Sequence, residues 1–128
     1  MNLVLSKWAF ILSMIGLFAL FTAPTRVDAQ RRTAQIVKKE AVEAFKAKDY
    51  RQAATLFQEL YMQTSNANLL YNVGLCQQRA GMDTEALESL EKFLIQAPNS
   101  RAVGKAKKMI AELKSVVNGE LILSLIHI

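Results

Sequence analysis

The sequence has 128 residues, a formal charge of +5 and one cysteine, Cys76. A single cysteine excludes an internal disulfide, so a chain of this size must be held by its apolar core. The charge is mild and short of what a dedicated nucleic-acid-binding domain carries, so no nucleic-acid partner is expected.

The chain opens on a secretory pattern. Lys7 gives a basic start, Trp8 to Thr22 form an uncharged apolar run, and Val27-Asp28-Ala29 supplies the small residues of a cleavage site. This predicts a signal-peptide helix within residues 1–29 and a mature chain beginning at Gln30. The run is shorter than the roughly 20 residues a spanning helix needs. An uncleaved membrane anchor stays open as the alternative. With no cysteine near the site, a lipid-modified N-terminal cysteine is excluded. The expected location is periplasmic or secreted, with membrane contact only through the signal segment. Loss of Lys7, Arg26 and Asp28 leaves a charge of +4 on one small domain of about a hundred residues.

Beyond a polar, basic lead-in at residues 30–33, the spacing predicts five helices. Val37, Ala41, Ala44 and Phe45 recur at helical spacing over 34–46. Lys48-Asp49 breaks that helix, and Asp49 with Gln52 forms a capping box for the next. The second helix turns Tyr50, Ala53, Ala54, Phe57, Leu60 and Tyr61 inward. Thr64 to Asn66 is a turn of residues that bond their own backbone. Leu69, Leu70, Val73, Gly74 and Cys76 build the third helix, which Gly81 stops. Asp83 is the expected N-cap of the fourth, with Glu85 in its first turn. Its stripe is Ala86, Leu87, Leu90, Phe93 and Leu94, and Pro98 ends it. Ser100 is expected to cap a fifth helix with the stripe Val103, Ala106, Ile110, Leu113 and Val117, closed by Asn118-Gly119.

The first four helices repeat at one constant offset: Ala41 answers to Gly74, Ala53 to Ala86, Ala54 to Leu87, Phe57 to Leu90 and Leu60 to Phe93. A repeat of this length marks stacked helical hairpins, in which each hairpin buries its apolar face against a neighbour. Residues 69–98, LLYNVGLCQQRAGMDTEALESLEKFLIQAP, resemble a tetratricopeptide repeat through Val73-Gly74, Gly81, Ala86, Leu90 and Pro98. The first repeat resembles it less fully, through Ala41, Lys48-Asp49-Tyr50, Ala53 and Phe57, without the closing proline. Lys107 and Lys108 fall where a third repeat would need a bulky-small pair, so the fifth helix reads as a cap. The fold class implied is all-α: two antiparallel hairpins at 34–66 and 67–100, a capping helix at 101–118 and a tail at 119–128. With an export signal, the chain resembles envelope-exposed repeat proteins of Gram-negative bacteria.

The resemblance implies a protein or peptide partner held in the groove lined by the first helix of each hairpin. The positions carried over are Gln35, Lys38, Val42, Phe45 and Lys46 in the first repeat, and Asn68, Tyr71, Leu75, Gln78 and Arg79 in the second. Their amides, cations and aromatics would bond a peptide backbone and attract acidic groups. Phe45 reads equally as core, and Leu75 could be covered by a further C-terminal part.

Chemistry is not expected. No glycine-rich phosphate loop or Cys/His metal spacing is present, so no cofactor, metal or enzymatic activity is predicted. The paired carboxylates Glu40/Glu43, Glu85/Glu88 and Glu88/Glu91 lie on polar faces of amphipathic helices. Cys76 reads as a small buried hydrophobe. Arg101, Lys105, Lys107, Lys108 and Lys114 make the fifth helix basic, which reads as a solvated face. The rival function is a membrane-tethered adaptor with this basic helix against lipid; a substrate-positioning appendage of an enzyme is a third.

The last residues, Leu123-Ser124-Leu125-Ile126-His127-Ile128, are also what ctg-tct-ctt-ata-cac-atc encodes, a common adapter sequence in DNA library preparation. The expectation is a longer natural protein, with residues 119–122 beginning a strand of a following β-rich domain. Oligomeric state is not legible.

Overall fold

The computed structural model describes residues 26–126, so the apolar run at 8–22 and the final His127 and Ile128 lie outside the described residues. The chain divides into two units, 1–32 and 33–128. Of the first, the described part is the opening of one helix. Five helices follow in order: α1 Arg26–Lys46, α2 Tyr50–Thr64, α3 Asn68–Arg79, α4 Asp83–Gln96 and α5 Val103–Ile126. Among the described residues there is no strand.

Helix α1 starts earlier than the periodicity implies. Residues 30–33 are helical rather than a lead-in, because Gln30, Arg31 and Arg32 are good helix formers and need no apolar face to stay helical. Val27-Asp28-Ala29 falls within its first turns.

The two hairpin turns are built alike. Lys48 and Gly81, equivalent positions of the two repeats, both have positive φ, 62° and 73°. At the first turn Lys48 N–H donates to the Phe45 carbonyl at 3.1 Å and Asp49 N–H to Ala44 at 3.0 Å. At the second, Gly81 N–H donates to Gln78 at 3.1 Å and Met82 N–H to Gln77 at 2.9 Å. Each turn is thus a left-handed helix end that satisfies the last carbonyls of the preceding helix.

The capping residues then differ. Asp49 Oδ1 accepts from Gln52 N–H at 3.2 Å, capping α2. The reciprocal half of the capping box is not made, because Asp49 N–H is already given to Ala44. Asp83 is not a cap. Position 82 is the structural equivalent of 49, so the N-cap of α4 is Met82, which makes no side-chain bond. Asp83 and Glu85 instead sit in the first turn, where their carboxylates favour the helix dipole. Between hairpins, Ser65 is left-handed at φ 53°. Thr64 Oγ1 donates to Leu60 O at 2.7 Å, and Asn66 Oδ1 accepts from Asn68 N–H at 3.1 Å.

Two apolar clusters hold the helices, and α3 serves both. On one side Val37 and Ala41 of α1 meet Ala53, Phe57 and Leu60 of α2 and Leu69, Val73 and Cys76 of α3. On the other, Leu70 meets Ala86, Leu90 and Phe93 of α4 and Ala106, Ile110 and Leu113 of α5. Small residues set the close approach. A Cβ built on Gly74 would lie 2.6 Å from Leu90 Cγ, so α3 and α4 touch where the glycine sits. Tyr61 belongs to the edge of both clusters and its hydroxyl donates to Gln96 Oε1 at 2.8 Å, tying α2 to α4.

Helix α4 ends at Gln96 because Ala97 precedes Pro98 and leaves the helical region, at φ −131° and ψ 55°. Ser100 Oγ accepts weakly from Ala102 N–H at 3.4 Å, but Ser100 lies two residues ahead of the N-cap position of α5 and does not cap it. Helix α5 does not close at Asn118-Gly119 and no strand begins there; it runs on to Ile126. Gly119 lacks the positive φ of a helix stop, and an interior glycine alone costs only about 1 kcal/mol. Beyond Leu113 the helix buries little: Val116 is 44% exposed and Leu121 59%.

Candidate functional site

Helix α1 and helix α3 open the two hairpins, and two clefts lie between them. The upper one, about 180 Å³, is lined by Val42 and Phe45 of α1, Asn72, Leu75 and Cys76 of α3, and Phe57 of α2 below. The lower one, about 190 Å³, brings Ala34, Gln35 and Lys38 of α1 towards Leu60, Thr64, Asn66 and Leu69. The step from Gln35 and Lys38 to Val42 and Phe45 is two helical turns, about 10 Å along α1.

The ten residues carried over from the resemblance therefore separate. Val42, Phe45 and Leu75 share the upper cleft, and Gln35 and Lys38 the lower. Phe45 is both core and surface: it packs on the first cluster, meets Tyr50 edge-on at 5.6 Å, and still lines the cleft. Arg79 stands over both rings, its guanidinium carbon 4.9 Å from the Phe45 centroid and 5.5 Å from Tyr50. Lys46 is exposed in the last turn of α1, and Asn68 is exposed at the start of α3.

Tyr71 stands apart from the clefts. Its ring leans on Phe93 at 5.7 Å, with the second cluster, because the step from Asn72 back to Tyr71 carries the side chain from the α1 side of α3 to the α4 side. Gln78 is half-buried, and its carbonyl is used by Gly81 in the second turn.

Three lining residues of the upper cleft escape the sequence reading: Asn72, Cys76 and Phe57. Asn72 lies three and four residues before Leu75 and Cys76, so helical spacing could have found it. Phe57 shows as core from its pattern, and only the gap above it reveals a second role. Tyr50, under Arg79, is visible only in three dimensions.

Cys76 is fully buried, and burial pushes its thiol up from 9.0 to about 11, against a smaller lowering by Arg79. It is therefore a protonated, poorly nucleophilic thiol at neutral pH. Glu43 pairs with Lys39 at 3.8 Å, both exposed. Lys114 of the basic fifth helix pairs with Glu91 of α4 at 2.9 Å, so one of those cations ties the last helix to its neighbour. With both partners half exposed, that tie is worth under about 1 kcal/mol. Among the described residues no helix is long and apolar enough to cross a membrane.

A pair of helical hairpins with left-handed turns, small residues at the crossing and a shared middle helix defines a helical-repeat protein. Residues 69–100, the second hairpin and its exit, match the family model described as Tetratricopeptide repeat, and over that stretch the chain is similar to that family. The first hairpin has the same turn at Lys48 and the same small-residue crossing at Ala41 and Ala53. No curated protein matches the chain. Repeats of this family mediate protein–protein interactions and are generally non-catalytic.

Proposed function

We propose that the chain is a non-catalytic scaffold of the bacterial cell envelope that holds a protein or peptide partner in the groove between α1 and α3. The observation that carries this reading is the upper cleft, where Val42 is 37% exposed beside Phe45 and Leu75. The recess is apolar, concave and open to solvent, which is the form of a seat for one side chain of a partner. Envelope location rests on the sequence of the signal segment, Met1 to Ala29, alone.

The test is recovery of partners from envelope extract with the full chain, compared with the Val42→Glu, Arg79→Gln variant. A partner lost in the variant supports the groove; one kept by both moves recognition to the opposite face. The mass of the processed N-terminus reads the export claim: Gln30 as first residue supports it, and Met1 favours the tethered adaptor.

A further inference from the structure

Removal of the signal segment after Ala29 makes Gln30 the first residue, and the cut falls inside a helix. Helix α1 runs unbroken from Arg26 to Lys46, so Gln30 opens what is already helical backbone. Gln30 and Arg31 are exposed there. Asp28, the one acidic residue in the first turn of α1, leaves with the removed segment. The sequence that remains, Gln30-Arg31-Arg32, meets no carboxylate before Glu40.

The new α-ammonium therefore stands at the positive end of a helix, with two arginines directly after it in sequence and no acid in the first turn. Like charge at this range disfavours the ammonium form, so more of the nitrogen is free amine at neutral pH. A free amine is a nucleophile, and glutamine carries its own electrophile in the side-chain amide carbon Cδ. Attack on Cδ closes a five-membered ring, the size that forms most readily. Among the described residues the exposed Gln30 side chain has no hydrogen bond that holds its amide away.

This rests on the export reading above, and within it we propose that the processed N-terminus closes on itself as a pyroglutamyl lactam, aided by the charge of Arg31, Arg32 and the helix end. The Gln30 α-nitrogen forms a bond to Cδ, and the bond from Cδ to the side-chain nitrogen breaks. One hydrogen of the amine leaves with that nitrogen as ammonia. Nothing is oxidised or reduced, and no co-reactant is consumed. The lactam keeps an N–H but carries no charge, so one of the positive charges crowding the start of α1 is removed. A chain without a free α-amine also offers an aminopeptidase nothing to grip.

The test expresses the full chain with its leader, recovers the processed protein from cells, and sequences its N-terminal peptide by mass spectrometry at once and after days at neutral pH. The expected result is a peptide that starts at Gln30 and is lighter by one ammonia. Arg31→Ala, Arg32→Ala should close about twofold more slowly, since more of its amine stays protonated. Gln30→Ser, which has no side-chain amide, should keep a free amine throughout. A Gln30 start that keeps its full mass after incubation would overturn the closure and leave export standing. Equal rates in the chain and the arginine variant would overturn the part given to the charges. A peptide starting at Met1, or at any residue other than Gln30, would overturn the cleavage reading and the closure with it.

Discussion

Replacing Gly74 by alanine tests how the hairpins are stacked. The added methyl would lie 2.6 Å from Leu90 Cγ, 2.8 Å from its Cδ2 and 3.3 Å from the Ala86 carbonyl oxygen. Leu90 is fully buried among Leu70, Phe93 and Ala106, so the branch carbon cannot swing away without moving the second cluster. Overpacking of this kind costs about 1–3 kcal/mol, and contact with a branch carbon rather than a chain end puts it in the upper half. Alanine in a helix interior returns about 1 kcal/mol of propensity. The net loss is about 1–2 kcal/mol, or about 5–10 °C in Tm for a domain near a hundred residues. Urea denaturation followed by far-ultraviolet circular dichroism reads it. The decisive comparison is a double-mutant cycle with Leu90→Ala: in that background Gly74→Ala should stabilise, because the obstructing carbon is gone and propensity remains. A neutral Gly74→Ala, or the same loss in both backgrounds, would refute the close approach of α3 and α4.

Lys48→Gly should stabilise by about 0.5–1 kcal/mol, since Lys48 holds the left-handed conformation that Gly81 supplies at the equivalent turn; an unchanged denaturation midpoint would mean the turn carries no strain. Phe93→Ala should cost about 3–5 kcal/mol, enough to unfold the second hairpin, because its ring is fully buried between α4 and α5. Cys76 holds its proton in the folded chain to about pH 11 while the unfolded thiol ionises from 9.0. Its contribution is therefore complete below pH 9 and declines between 9 and 11, by about 2–3 kcal/mol at the upper end. Cys76→Ala should remove that decline, and equal slopes of stability against pH in the two proteins would contradict it.

Most of the fold was legible because it is written twice. Two stripes that match at a constant offset fix which faces are buried and where small residues must lie, and the structure buries Ala41, Ala53, Gly74 and Ala86 as that pattern requires. The same offset would have corrected the misplaced cap: aligning Asp49 with Met82 puts Asp83 one residue inside its helix. Helix ends were harder where no stop chemistry exists. Gly81 ends a helix because its backbone turns left-handed, whereas Gly119, the same residue type, is passed through. At the candidate site, positions on α1 were readable from spacing. The split between Leu75 and Tyr71, four residues apart on α3, was not, since it depends on which neighbour each flank of a shared helix meets. The Arg79 stack is a contact between two helices and a turn, and no local pattern announces it.

The most direct test of the account places a photo-crosslinking amino acid at position 42, in the cleft, or at position 62, where Met62 is 67% exposed on α2, in the full chain in cells. A discrete crosslinked partner from position 42 that is absent from position 62, and that disappears with Arg79→Gln, is the predicted result. Crosslinks from position 62 alone would contradict it, and would place recognition in the separate cleft that Met62 lines with Gln58 and Gln77.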